Sequence, residues 1–264
     1  MKNDLAELVN TIGARRNALL QDYSEYDLHQ LRVAVRRVRT LLRFEAQPEA
    51  WQLRREWGFL VSHTNPARDW DTLAERLDDL PEEEQPVGLV AAVQRQRDKV
   101  WKEVLVTLRD SQWETTHARM RAYLDRATDP EHDPVDGEQM ISDASDRVNQ
   151  AWERARERGD NHSWHKLRIA IKDLRYSLDT LSQASVDEPV ELCKQLQDRL
   201  GIWHDSIIHR ELLQVVDREL GPDEKSARDA AAELDTDLFA EGLKSLKEAR
   251  HTMAARAQLL ERKR

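Results

Sequence analysis

The stretch HQLRVAVRRVRTLLR, residues 29–43, sets five arginines and one histidine into fifteen residues with no acid among them. Wound as a helix at about 100° per residue, Leu31, Val35, Val38 and Leu42 fall within an arc of roughly 60° and make an ordinary core face. His29, Arg32, Arg36, Arg39 and Arg43 occupy a neighbouring arc of roughly 80°. Positive charges stacked three and four residues apart repel by a few tenths of a kcal/mol per pair. A stripe with no interleaved acid therefore points to a polyanion as its partner.

The same pattern returns at 165–178, HKLRIAIKDLRYSL. Subtracting 136 maps His165 onto His29, Arg168 onto Arg32, Lys172 onto Arg36 and Arg175 onto Arg39, and the shift goes on to pair Leu196 with Leu60, Asp205 with Asp69 and Glu211 with Glu75. Chance periodicity does not hold one register for about fifty residues. The chain reads as two copies of one helical unit: a first bundle over 1–127, a linker over 128–138 near RATDPEHDPVDG at 126–137, and a second bundle over 139–264. Helices are expected near 3–23, 26–46, 49–80 with a break at Asn65-Pro66, and 87–126 with a break near 110; then 139–158, 162–184, 188–219 and 224–262, interrupted near Gly201 and at 238–242. The fold class is all-α, two four-helix bundles. A pseudo-twofold packing of the two would turn both basic stripes towards a shared groove.

The pattern H-x-x-R-h-x-h-(R/K)-x-h-R in each half, followed about 40 residues later by Arg68-Asp69 and His204-Asp205, resembles the CHAD family, the conserved histidine α-helical domain. The resemblance covers nearly the whole chain. It implies two four-helix bundles with internal twofold symmetry around a basic central channel that binds inorganic polyphosphate. The positions that carry it are His29, Arg32, Arg36, Arg39, His165, Arg168, Lys172 and Arg175, holding phosphoryl oxygens by bidentate or point-charge contacts. Each histidine begins its stripe, where the free N–H groups of a helix N-terminus also favour anions. Two departures stand out: Arg43 has Asp179 as its counterpart, and Arg68 has His204.

Other basic residues rank second. Lys99 and Lys102 share a face with Arg95 and Arg109, but Asp98, Glu103 and Asp110 sit beside them and compensate their charge. Lys247 and Arg250, with Lys244 and Arg256, have fewer acids near and join Arg43, Arg68, Lys99, Lys102 and His204 as second-rank contacts. Trp57, Trp70, Trp101, Trp152 and Trp203 fall on apolar helical positions and read as core. The run LDDLPEEEQP at 77–86 reads as a solvated turn.

Composition narrows the partners. A net charge of -9 argues against a general coat for nucleic acid, so no specific nucleic acid is expected and any polyanion site is local. Cys193 is the one cysteine, which leaves no internal disulfide and suits a reducing compartment. There is no apolar signal core and no run of membrane-spanning length, so a cytoplasmic protein without a membrane partner is expected, with polyphosphate granules as a place of association. No cofactor, metal or catalytic residue is assigned. The alternative reading is a metal-dependent phosphohydrolase of the HD type acting on polyphosphate or nucleotides, from His165 and His204-Asp205. Arg68, which cannot ligate a metal, stands at the matching position of the other copy and argues against it. The pairs Glu114-x-x-His117 and Glu248-x-x-His251 fit a di-iron pattern, but arginines flank them. A helical scaffold for a protein partner is a third reading, under which polyphosphate does not bind at physiological salt.

Overall fold

The computed structural model describes residues 2–45, 47–126, 137–181 and 187–261. Among these residues stand ten α-helices and no strand, and the chain falls into two compact units, Met1–Asp136 and Gly137–Arg264.

The first unit contains α1 (Lys2–Gln21), α2 (Glu25–Leu41), α3 (Pro48–Ser62), α4 (Asn65–Asp78), α5 (Val87–Leu108) and α6 (Ser111–Arg126). Local chemistry sets the boundaries. The Ser24 hydroxyl caps α2 by accepting from the Asp27 amide at 3.2 Å. Pro66 lies in the first turn of α4, where its missing N–H costs nothing, and the chain breaks just before it. The Asp110 carboxylate accepts from the Gln112 amide at 2.8 Å and separates α5 from α6. α1 packs on α2 and α6, and α3 on the same two, so these four close a bundle while α4 and α5 pack on each other. Leu28, Leu31, Val35 and Val38 of α2 meet Leu53 and Trp57 of α3 and Trp113 and Met120 of α6 in its core. Each side chain of this size contributes about 1.5–3 kcal/mol by leaving water.

The second unit contains α7 (Gly137–Arg158), α8 (Asn161–Leu181), α9 (Asp187–Glu219) and α10 (Lys225–Glu261), packed in sequence. Gly159, at φ 67°, ends α7 in the left-handed conformation that glycine adopts without steric cost. Next to it the Asp160 carboxylate accepts from the Ser163 amide and hydroxyl, at 2.7 and 2.6 Å, and starts α8. Trp152, Trp164, Leu167, Leu200, Trp203 and Met253 lie in its core.

Several expected boundaries are corrected. α9 runs unbroken through Gly201 and α10 through 238–242. A lone glycine costs a helix only about 1 kcal/mol against alanine, and the apolar positions around it, Leu196, Leu200 and Trp203, are buried in the core. Gly242 has a packing reason of its own: a Cβ there would stand 3.0 Å from Ser206 Cβ and fall on its hydroxyl, so the glycine lets α10 approach α9. α2 ends at Leu41, and Arg43 sits in a 3-10 turn, Leu42–Phe44, outside the register of the stripe. Most of the expected linker, 128–136, lies outside the described residues, while Gly137 and Glu138 already belong to α7. Trp57, Trp70, Trp152 and Trp203 are buried, and Trp101 is half-buried against the Tyr23 ring, 4.4 Å away. Among the described residues no helix is long and apolar enough to cross a membrane.

Candidate functional site

In the first unit α2 buries its apolar face and turns His29 outward, with Arg32, Arg36 and Arg39 half-buried beside it and Arg37 exposed. His29 is held below the ordinary histidine range first by partial burial, then by Arg68 and Arg36, against a smaller opposing pull from Glu75 and a further push from Arg32. That set of influences gathers Arg68 of α4 with the stripe. Arg68 is engaged by Glu75 through two parallel bonds, Nη1 to Oε1 at 2.8 Å and Nη2 to Oε2 at 3.2 Å.

Arg32 is tied into the fold. Its Nη1 donates to Thr64 Oγ1 and Asn65 Oδ1, both at 2.8 Å, at the joint between α3 and α4. Burial brings its guanidinium down to about 10, with Arg36 pushing the same way and Asp69 easing it back. Arg39 lies farther along, its Nε donating to the Arg54 carbonyl at 3.3 Å while Arg54 Nε returns a bond to the Arg39 carbonyl at 3.2 Å. Its guanidinium rests on Gly58, where a Cβ would stand 2.9 Å from Cζ.

Behind this stripe is a cluster that sequence reasoning did not find. Asp71 of α4 is fully buried, accepts from Arg97 Nε at 2.9 Å and from the Tyr23 hydroxyl, and Arg97 also pairs with Glu25. Burial raises the Asp71 carboxyl to about 6, against the pull of Tyr23, Arg68 and Arg32. The network ties the end of α1 and the start of α2 to α4 and α5. An acid at an inward helical position was its one visible signal.

In the second unit the His165 and His204 rings lie 4.8 Å apart across α8 and α9. Burial lowers both, and Arg168 is the next largest influence on each. His204 is brought to about 3, with His165 and Lys172 adding to the effect. Arg168 and Lys172 line an open depression of about 330 Å³ whose other walls are Gln197, Asp198, Gly201, Ile202 and Asp205. Arg175 belongs to a different neighbourhood: its guanidinium lies over the Tyr176 ring at 4.8 Å and 4.0 Å from Asp179, and it acts on the buried Cys193.

His29, Arg32, Arg36 and Arg68 thus come together in one unit, and His165, Arg168, Lys172 and His204 in the other. Arg39 bonds the Arg54 carbonyl, Arg43 sits in the 3-10 turn, Arg175 lies against Tyr176 and Asp179, and Lys99, Lys102, Lys247 and Arg250 are exposed on α5 and α10. None of these seven figures among the main groups acting on His29, His165 or His204. The helix N-terminal contribution expected at the histidines is also corrected. His29 and His165 are each the fifth residue of their helix, past the first turn within which the dipole acts.

Three residues of the di-iron pattern are engaged within the fold. A His117 ring nitrogen bonds the Val9 carbonyl at 3.0 Å, Glu114 pairs with Arg16, and Glu248 pairs with Arg199. Among the described residues no three His, Cys, Asp or Glu side chains gather as metal ligands would.

The CHAD domain profile matches residues 3–214. Two solved structures share the fold. The CHAD domain from the plant Ricinus communis is 22 % identical with a TM-score of 0.74, and the alignment covers 96 % of this chain and 90 % of that one. PptA from Streptomyces chartreusis is 14 % identical with a TM-score of 0.67, over 96 % of this chain and 99 % of that one. No curated protein matches.

Proposed function

This chain belongs to the CHAD domain family, and we propose that it binds inorganic polyphosphate on the basic faces of α2 and α8 and leaves it chemically unchanged. The observation that carries the reading is the crowding of Arg168, Lys172, His165 and His204, close enough that burial and their mutual repulsion bring His204 down to about 3. A cluster of bases that repel one another is stabilised by an anion placed among them. Each charge-assisted contact to a phosphoryl oxygen contributes about 1.5–3 kcal/mol.

His29, Arg32 and Arg36 with His165, Arg168 and Lys172 are the principal contacts in this reading. Arg39 and Arg175 extend the line along each helix, and Arg68 and His204 join it from α4 and α9. Asp69 and Asp205 orient the stripes. The lining of the α8–α9 depression includes no aromatic ring, which suits a ligand with no base to stack.

The test is titration with linear polyphosphate of defined length at rising salt. If about six to eight phosphates are neutralised, log affinity falls with log salt at a slope of roughly -4 to -6. Duplex DNA binds far more weakly, and no phosphate is released with Mg²⁺ or Mn²⁺. A flat salt response overturns the ionic mechanism.

A further inference from the structure

Gly201 sits in the middle of the 33-residue helix α9, where glycine is the wrong residue for the backbone. Packing does not account for it: a Cβ at this position would meet no atom within 4 Å. Three other helical glycines do meet close neighbours, Gly13 against the His117 ring, Gly58 against Arg39 and Gly242 against Ser206, and have evident steric reasons. Gly201 borders the depression between Arg168 and Lys172 on α8 and Gln197 and Asp205 on α9. Its counterpart in the sequence shift is Asn65, whose carboxamide oxygen takes up Arg32. A side chain at this spot in the first unit holds the stripe arginine, and in the second unit the spot is bare.

We propose that the depression over Gly201 is the subsite at which the polyanion is anchored in the second unit, and that Gly201 determines whether a phosphoryl group can reach it. This inference rests on the polyphosphate reading. Its physical basis is the charge of the lining. Arg168 and Lys172 are balanced there by Asp198 and Asp205, so long-range attraction into the depression is weak. Retention then depends on short contacts, and charge-assisted N–H···O bonds form at about 2.7–2.9 Å. A side chain larger than hydrogen at 201 would stand in the space through which the oxygens approach. Gln197, whose Oε1 is buried without a donor, can turn its amide to present N–H groups to the same oxygens.

The experiment compares Gly201→Ala, Gly201→Leu, Arg168→Glu, Arg36→Glu and the control Gln195→Leu, an exposed position on the same helix as Gly201, by calorimetric titration with linear polyphosphate and by melting temperature. Gly201→Ala weakens binding a few-fold and Gly201→Leu at least tenfold. Both melt at or above the wild-type temperature, and Gln195→Leu binds normally. If Arg168→Glu abolishes binding while Gly201→Leu binds as wild type, the anchoring subsite is overturned and the polyphosphate reading stands. If wild type does not bind, or Arg168→Glu and Arg36→Glu both bind as wild type, the polyphosphate reading falls and the subsite with it.

Discussion

The imidazole rings of His165 and His204 face each other at 4.8 Å, and both are held below the ordinary histidine range by burial and by Arg168. Two neutral bases thus stand among fixed cations at neutral pH. A polyanion bound beside them reverses the balance and favours their protonation. Binding is expected to take up protons and to tighten as pH falls from about 8 to 6, where histidine ordinarily titrates. Calorimetry in buffers of different ionisation enthalpy reads the uptake directly. If His165→Gln combined with His204→Gln leaves the uptake unchanged, the pair is structural.

The same pair has an opposite effect on the empty protein. The native value of His204, about 3, lies below the unfolded value near 6.5. Its contribution to stability is therefore fully present above about pH 6.5 and is lost as pH falls towards 3. Urea unfolding of the ligand-free protein is expected to show declining stability over that window. His204→Gln makes the decline shallower, and an identical decline would place the acid sensitivity elsewhere.

Asp71 provides a test of the first unit alone. Removing it by Asp71→Ala strips a buried acceptor from Arg97, whose side chain is only 12 % exposed. Breaking a buried pair costs about 3–5 kcal/mol, and the low end is expected because Glu25 still holds Arg97. The carboxyl itself, raised to about 6, contributes stability that is full below its unfolded value near 3.9 and lost as pH rises through 6. Denaturant titration of Asp71→Ala at pH 7 reads the loss. A change under about 1 kcal/mol would mean the network is not coupled to the fold.

Gly201 and Gly242 lie in one unit and predict opposite signs. Gly201→Ala meets open space and is expected to stabilise by up to about 1 kcal/mol through helix propensity alone. Gly242→Ala drives a methyl group onto Ser206, and overpacking of this kind costs about 1–3 kcal/mol. Melting of the two variants side by side decides it. A rise for both would show that α9 and α10 can move apart cheaply.

The helices and their inward faces were legible because α2 and α8 keep an unbroken apolar arc, and because Pro66 and Asp110 interrupt the chain chemically. The expected breaks at Gly201 and 238–242 failed since one residue's backbone preference is outweighed by the apolar side chains that α9 and α10 bury. The basic positions were legible too, but not their division of labour. That Arg32 is taken up by Thr64 and Asn65, or that Arg175 turns towards Tyr176 and Asp179, depends on which residues another helix brings near. Periodicity on one helix contains no such information. Asp71 and Gln197 escaped for the same reason, being unremarkable residues until their neighbours are known, and Gly201 was read as a helix break for want of the depression beside it.

Arg36 and Arg37 are adjacent, equally basic and about 100° apart on α2. Arg37 is exposed, whereas Arg36 is half-buried and acts on both His29 and Arg32. Position 37 already carries an acid, Asp173, in the second half, so negative charge there is compatible with a helix of this pattern. Arg37→Glu is expected to leave polyphosphate affinity within a few-fold. Arg36→Glu and Lys172→Glu each remove one charged contact and add repulsion, and each is expected to cost at least about 1.4 kcal/mol, or tenfold. The double reversal is expected to cost more than either. Circular dichroism must show every variant still helical. Equal losses from Arg36→Glu and Arg37→Glu would mean that the ligand senses total charge and not a stripe.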